Sequence, residues 1–276
     1  MGWIMRIHRR TRTTATALAI SSCALLAGAC SETSDASPAD NLLTGQSVPV
    51  GDGSGHTYVT LTDDGTPDAV GIRLSATALD GLPHDMNAPM QVFQLDLPPD
   101  APPTVFDTVT VDWNPHGHEP QGVFTAPHFD MHFFMQDRAE IAAITPTRPE
   151  FAIQASTLPP GQYMPADYIP PPGPPALQTV PNMGLHWTDA TEGVGTPDFV
   201  FDQILVAGSW DGAFTFLEPM MTREWMLTKQ SVDETVKQPA AYAESGYYPT
   251  TYTVNYDDTT DEYVVELGGM TMREAS

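Results

Sequence analysis

Residues 105–113 read Val105-Phe106-Asp107-Thr108-Val109-Thr110-Val111-Asp112-Trp113, and they form the clearest strand signal in the chain. β-branched side chains fit the pleated backbone, and here they recur without a helix-forming stretch between them. The run leads directly into Asn114-Pro115-His116.

Reading outward, the same style recurs. Residues 57–62 alternate at period two, 63–68 carry turn residues, and 69–74 resume a strand, which predicts a hairpin with a longer loop. Residues 91–97 alternate again, and 199–206, 213–217, 248–256 and 262–267 all read as strands. Helix is expected only over 138–144 and 220–229. The 27 prolines argue against a helical protein. These patterns predict a mostly-β fold, antiparallel and sandwich- or barrel-like, with little helix.

The ends set the domain plan. Arg6, Arg9, Arg10 and Arg12 precede a short apolar run over 15–29, which predicts a signal peptide over 1–30. It ends Ala27-Gly28-Ala29-Cys30. Two routes compete: a lipoprotein signal that makes Cys30 the lipidated first residue, or ordinary secretion at the same small-residue site. The lipoprotein is preferred, because ordinary cleavage would leave a lone exposed thiol on a secreted chain. The only other cysteine, Cys23, is lost with the signal, so no internal disulfide is expected. Residues 31–45 begin small and polar and predict a flexible tether. A β-rich domain over 46–276 follows, either one large domain or two lobes divided near the proline-rich stretch 156–176.

Charge narrows the partners. All 35 acidic residues but only seven of the 11 Lys and Arg follow Cys30, so seven against 35 leaves that part at −28. Such a chain repels nucleic acid and anionic lipid. Contact with a membrane is expected only through a lipid on Cys30, which places the protein on the outer side of a cell-envelope membrane. The alternative is a secreted soluble protein. A small-molecule ligand stays open, and composition does not set the oligomeric state.

The chemistry concentrates in one place. His116, His118, His128 and His132 fall within seventeen residues of a chain with 8 histidines, where chance would put roughly half a histidine. On a strand, His128, Asp130 and His132 share one face while Phe129, Met131 and Phe133 share the other. Gly117 allows the loop carrying His116 and His118 to bend toward that strand. Glu119 and Asp130 read as second-shell or proton-transfer groups. Glu218, at the end of an apolar strand, and His186, beside Trp187 in a Gly-containing turn, are candidate distant ligands. With no HExxH, no CxxC and only N and O donors, the pattern suits a divalent transition metal, zinc first among Zn, Mn, Fe, Ni and Cu. The leading site is His118, His128 and His132, with His116, His186 or Glu218 completing it. The acidic run 257–262 lacks the ordered EF-hand pattern and reads as a solvated turn.

The ordered words HGHEP, PHFDMHFF, MGLHW and FLEPM resemble a family of secreted bacterial proteins of unknown function, over about 105–227. That resemblance implies an all-β secreted domain and matches His116, His118, His128, Asp130, His132, His186 and Glu218 to the motif positions. It implies no activity.

The functional expectation is a cell-envelope lipoprotein that binds a transition metal. A metal-dependent hydrolase or lyase using a metal-bound water is the first alternative. A surface binding or scaffolding protein without metal is the second; there Trp113, Phe133, Phe134, Trp187 and Trp210 would line an apolar pocket rather than pack as core.

Overall fold

The strand expected over 105–113 is present as Thr108–Asn114, second in a seven-stranded antiparallel sheet. The structure is a computed structural model that describes residues 41–276 apart from Met86. The expected signal segment, Cys30 and tether residues 31–40 lie outside the described residues. The tether ends earlier than its expected boundary at 45, because residues 42–44 already pair in a sheet.

In chain order the strands are β1 (Leu42–Thr44), β2 (Val48–Val50), β3 (Gly53–Leu61), β4 (Pro67–Ser75), β5 (Gln91–Leu95), β6 (Thr108–Asn114), β7 (His128–Phe134), β8 (Tyr168–Ile169), β9 (Leu185–Asp189), β10 (Gln203–Trp210), β11 (Ala213–Thr222), β12 (Val232–Thr235), β13 (Gly246–Tyr248), β14 (Thr251–Asp257), β15 (Glu262–Gly268) and β16 (Thr271–Arg273). The α-helices are short: α1 (Arg138–Ala143), α2 (Phe151–Ser156), α3 (Pro175–Gln178) and α4 (Arg223–Leu227). Helix α1 forms where expected and opens with a reciprocal cap between Asp137 and Glu140. The second expected helix starts late, because Met220, Met221 and Thr222 extend β11 and only then does the Thr222 side chain cap α4.

Two sheets make the fold. The first runs β1-β3-β4-β15-β14-β12, with β2 also on β3, and draws on both ends of the chain. The second runs β5-β6-β7-β11-β10-β9-β8 and draws on the middle. Because the two ends share one sheet, and residues 36–276 form one compact unit, the stretch 156–176 does not divide two lobes. Neither sheet closes on itself among the described residues, so the architecture is a sandwich rather than a barrel.

Alternation builds the core. Val70, Ile72 and Leu74 of β4, Val265 and Leu267 of β15, and Tyr252 and Val254 of β14 face Val109, Val111 and Trp113 of β6, Phe129, Met131 and Phe133 of β7, and Leu217 of β11 in one buried cluster. Each such side chain contributes about 1.5–3 kcal/mol by leaving water, so this core can hold the fold without a disulfide. The listed aromatics are core groups: Trp113, Phe133 and Trp187 join this cluster, and Phe134 joins a smaller one. Trp210 packs on Phe151.

The second sheet is buried on its other face as well, since every residue of β6 and β7 is buried. Phe124, Phe199 and Phe201 from loops cover Ile204, Val206 and Met220. Ile141 of α1 and Met183 cover Phe134 and Phe216. Between these two small apolar patches the same sheet face carries Asp112, His128, Asp130, His132 and Glu218, all buried. Among the described residues no helix is long and apolar enough to cross a membrane.

Candidate metal centre

Register explains how these polar groups meet. Across β6 and β7, Asp112 pairs with Asp130, Thr110 with His132 and Asn114 with His128, so all six side chains lie on one face. On the far side, β11 pairs Met220 with Asp130 and Leu217 with Phe133, which sets Glu218 beside His132. His186 enters from β9, where it pairs with Gly208 of β10. It therefore sits on a strand rather than in the expected turn, and Glu218 lies inside β11 rather than at its end.

His118 arrives from above the sheet. Its amide donates to the Phe124 carbonyl at 2.8 Å, folding the loop back over β7. Gly117 makes this possible: its φ is +65°, and a Cβ there would run into the Phe124 carbonyl oxygen. The turn sends His116 the other way. Its Nε2 lies 2.7 Å from the Asp85 carbonyl and it joins no ligand group. Glu119 is also outside the cluster: it is exposed and its carboxylate accepts from the Gln121 amide. Both assignments to the centre are therefore corrected.

The remaining residues form two groups rather than one. His118, His128 and Asp130 place ligand atoms within 4.8 Å of one another, and so do His132, His186 and Glu218. The single site expected from His118, His128 and His132 does not form. His128 and His132 are four residues apart on a strand, a rise of about 13 Å, and cannot reach one ion. Asp130, expected in a supporting role, is a full member of the first group.

The distances within each group resemble a coordination shell. His118 Nε2 is 3.3 Å from Asp130 Oδ2, and His128 Nε2 is 3.0 Å from Asp130 Oδ1. His132 Nε2 and His186 Nε2 are each 3.3 Å from one oxygen of Glu218. An ion about 2.0–2.1 Å from each ligand holds neighbouring ligand atoms about 3.3 Å apart in a tetrahedron. These contacts are not all hydrogen bonds: His128 Nε2, Asp130 Oδ1, His132 Nε2 and Glu218 Oε2 are buried with no hydrogen-bond partner. Orphaned buried polar atoms are costly and rare, and here four of them converge.

The tautomers point the same way. The Nδ1 atoms of His118 and His128 sit 2.7 Å from the carbonyls of Glu119 and Ala126. A carbonyl only accepts, so each Nδ1 donates and each neutral ring turns a lone pair, at Nε2, toward a carboxylate. A lone pair and an anion repel unless a proton or a cation lies between them. Asp112 and Asn114, which the sequence reading passed over, support the ligands. Asp112 Oδ2 lies 3.2 Å from His132 Nδ1, and Asn114 Nδ2 donates to Asp130 Oδ2 at 2.7 Å. Their signal was present in the strand itself, where Thr108, Thr110, Asp112 and Asn114 occupy the parity opposite to Val109, Val111 and Trp113.

Without a cation the cluster must share protons. Burial lowers the affinity of His132 for a proton, but Glu218 and Asp112 more than offset this and raise its pKa to about 9. The same balance, with Asp130 as the chief partner, raises His118 to about 9. His186 is pushed down to about 3 by burial and by the charges of His132 and His118. Burial raises Glu218 to about 8, against the pull of His132. Burial also disfavours the Asp130 carboxylate, yet the charges of His128 and His118 hold it well below the usual range.

Access is narrow. The side chains of His118 and His186 are 38% and 23% exposed, whereas the other ligands are at most 3% exposed. A separate cleft, lined by residues including Asp107, Trp210, Tyr242 and Tyr248, contains none of the cluster residues.

A family model described as TTHB210-like, hypothetical protein TTHB210, is similar to residues 62–113. The matched stretch takes in β4, β5 and most of β6, with Asp112, and stops before the first histidine of the cluster. No curated protein and no solved structure matches the chain.

Proposed function

We propose that this chain is a cell-envelope protein that binds zinc through the triads His118–His128–Asp130 and His132–His186–Glu218. The observation that carries the reading is the set of buried Nε2 atoms facing carboxylate oxygens at 3.0–3.3 Å, several of them without a hydrogen bond. Two imidazoles and one carboxylate suit zinc in a site that keeps a position open. A scaffolding protein without metal would let these rings diverge, whereas here they converge.

The test is elemental analysis of the purified protein. Two zinc ions per chain are expected, falling to one in His128→Ala and to one in His132→Ala. Metal content unchanged by both substitutions would overturn the assignment.

One observation favours a catalytic role, as a metal-dependent hydrolase or lyase. Each triad offers three protein ligands, which leaves room for a water whose pKa an ion would lower to about 7. The envelope location rests on the basic start, the apolar run over 15–29 and Cys30. The ordered histidine motifs support a place among secreted bacterial proteins of similar pattern. Labelling cells with a fatty-acid analogue tests the anchor: label is expected on the full chain and lost in Cys30→Ser. Equal labelling of both would reject it.

A further inference from the structure

We infer that the two triads act as one dinuclear centre whose remaining positions are filled by a shared oxyanion, of the class of inorganic phosphate. The inference rests on the metal-binding reading above and adds a ligand to it.

Three observations support it. First, the triads are neighbours on one sheet face. Asp130 belongs to one and His132 to the other, and alternate residues of a strand lie about 6.5–7 Å apart. Second, each triad offers three protein ligands where a tetrahedral ion takes four, so each ion keeps one place. Third, the charges do not cancel. Two dications against the carboxylates of Asp112, Asp130 and Glu218 leave one positive charge among groups that are almost fully buried. An unbalanced charge in such a place is costly, and an anion that donates one oxygen to each ion removes the imbalance and completes both shells.

The approach lies along His118 and His186, the two partly exposed ligands, one from each triad. Elsewhere the chain is strongly acidic, with 35 Asp and Glu against 11 Lys and Arg, so phosphate has little reason to bind away from the centre.

The experiment uses cobalt(II), whose visible absorption reports its ligands, with phosphate as the probe. In protein carrying two cobalt ions, phosphate is expected to shift the spectrum with a one-to-one endpoint. In His186→Ala and in His118→Ala, which each remove one partly exposed ligand and retain one intact triad, phosphate affinity is expected to fall at least tenfold. Two bound ions with a spectrum indifferent to phosphate would overturn the dinuclear ligand site and leave metal binding standing. So would phosphate affinity unchanged in both single-triad variants. Failure to bind any metal would overturn the metal reading itself, and this inference with it.

Discussion

Asp112 Oδ2 lies 3.2 Å from Nδ1 of His132, so a carboxylate on β6 stands behind an imidazole on β7 whose other nitrogen faces Glu218. This is the arrangement by which a carboxylate orients a metal-binding histidine and raises its basicity. Asp112→Asn keeps the shape and removes the charge. Zinc affinity of the second triad is expected to fall about 10–100-fold while two ions still bind at saturation. Competition with a chromophoric chelator measures it; unchanged affinity would show that Asp112 is only a packed polar group.

His116 provides the matching control. It is exposed and tied to the Asp85 carbonyl, away from both triads. His116→Ala and Glu119→Gln are expected to leave the ion count and affinity unchanged. Loss of an ion in His116→Ala would mean that the loop rearranges when metal binds.

Stability of the metal-free protein should depend on pH with a definite sign. His118 and His132 are raised from 6.5 to about 9, so the stability they contribute is complete below about pH 6.5 and is lost as pH rises through 9. Glu218, raised from 4.5 to about 8, acts in the same direction: the folded chain holds a proton that the unfolded chain has released, and deprotonation in the fold is costly. Thermal melts of the metal-free protein are therefore expected to fall between pH 6.5 and 9. A bound ion takes the place of these protons, so the metal-loaded protein should hold its melting temperature across that window and the gap between the two forms should widen. Parallel pH profiles with and without zinc would contradict this.

Gly208 tests whether the centre depends on its packing. It faces His186 across the β9–β10 pair, and a Cβ there would overlap the Phe216 ring. Phe216 in turn packs against both His132 and His186, with ring centroids 5.2 and 5.0 Å away. Gly208→Ala should cost about 1–3 kcal/mol by overpacking and should weaken the second triad while sparing the first. Denaturant unfolding and ion counting read the two effects separately.

Much of the second sheet is legible from local pattern. Alternation across 128–134 sorts Phe129, Met131 and Phe133 from His128, Asp130 and His132, and the structure keeps both faces as sorted. The shorter elements are less legible. The strand β9 is five residues long and follows Gly184, so His186 reads as a turn residue until pairing with β10 extends it. Asp112 is missed because a lone acid in a strong strand looks solvent-facing when the cover over that face comes from residues far away in the chain.

What the amino-acid order decided by itself was the β character, the period-two division of each strand and the clustering of imidazoles near one ion-binding surface, since backbone sterics and side-chain alternation are local properties. Only the tertiary structure decided how many centres there are. The rise of a strand parts His128 from His132. Sheet register sets Glu218 beside His132, an edge strand supplies His186, and a loop folded over Gly117 supplies His118 while turning His116 away. Those partners lie up to about a hundred residues apart in the chain, and hydrogen-bonded strand pairing, which no local pattern encodes, brings them together.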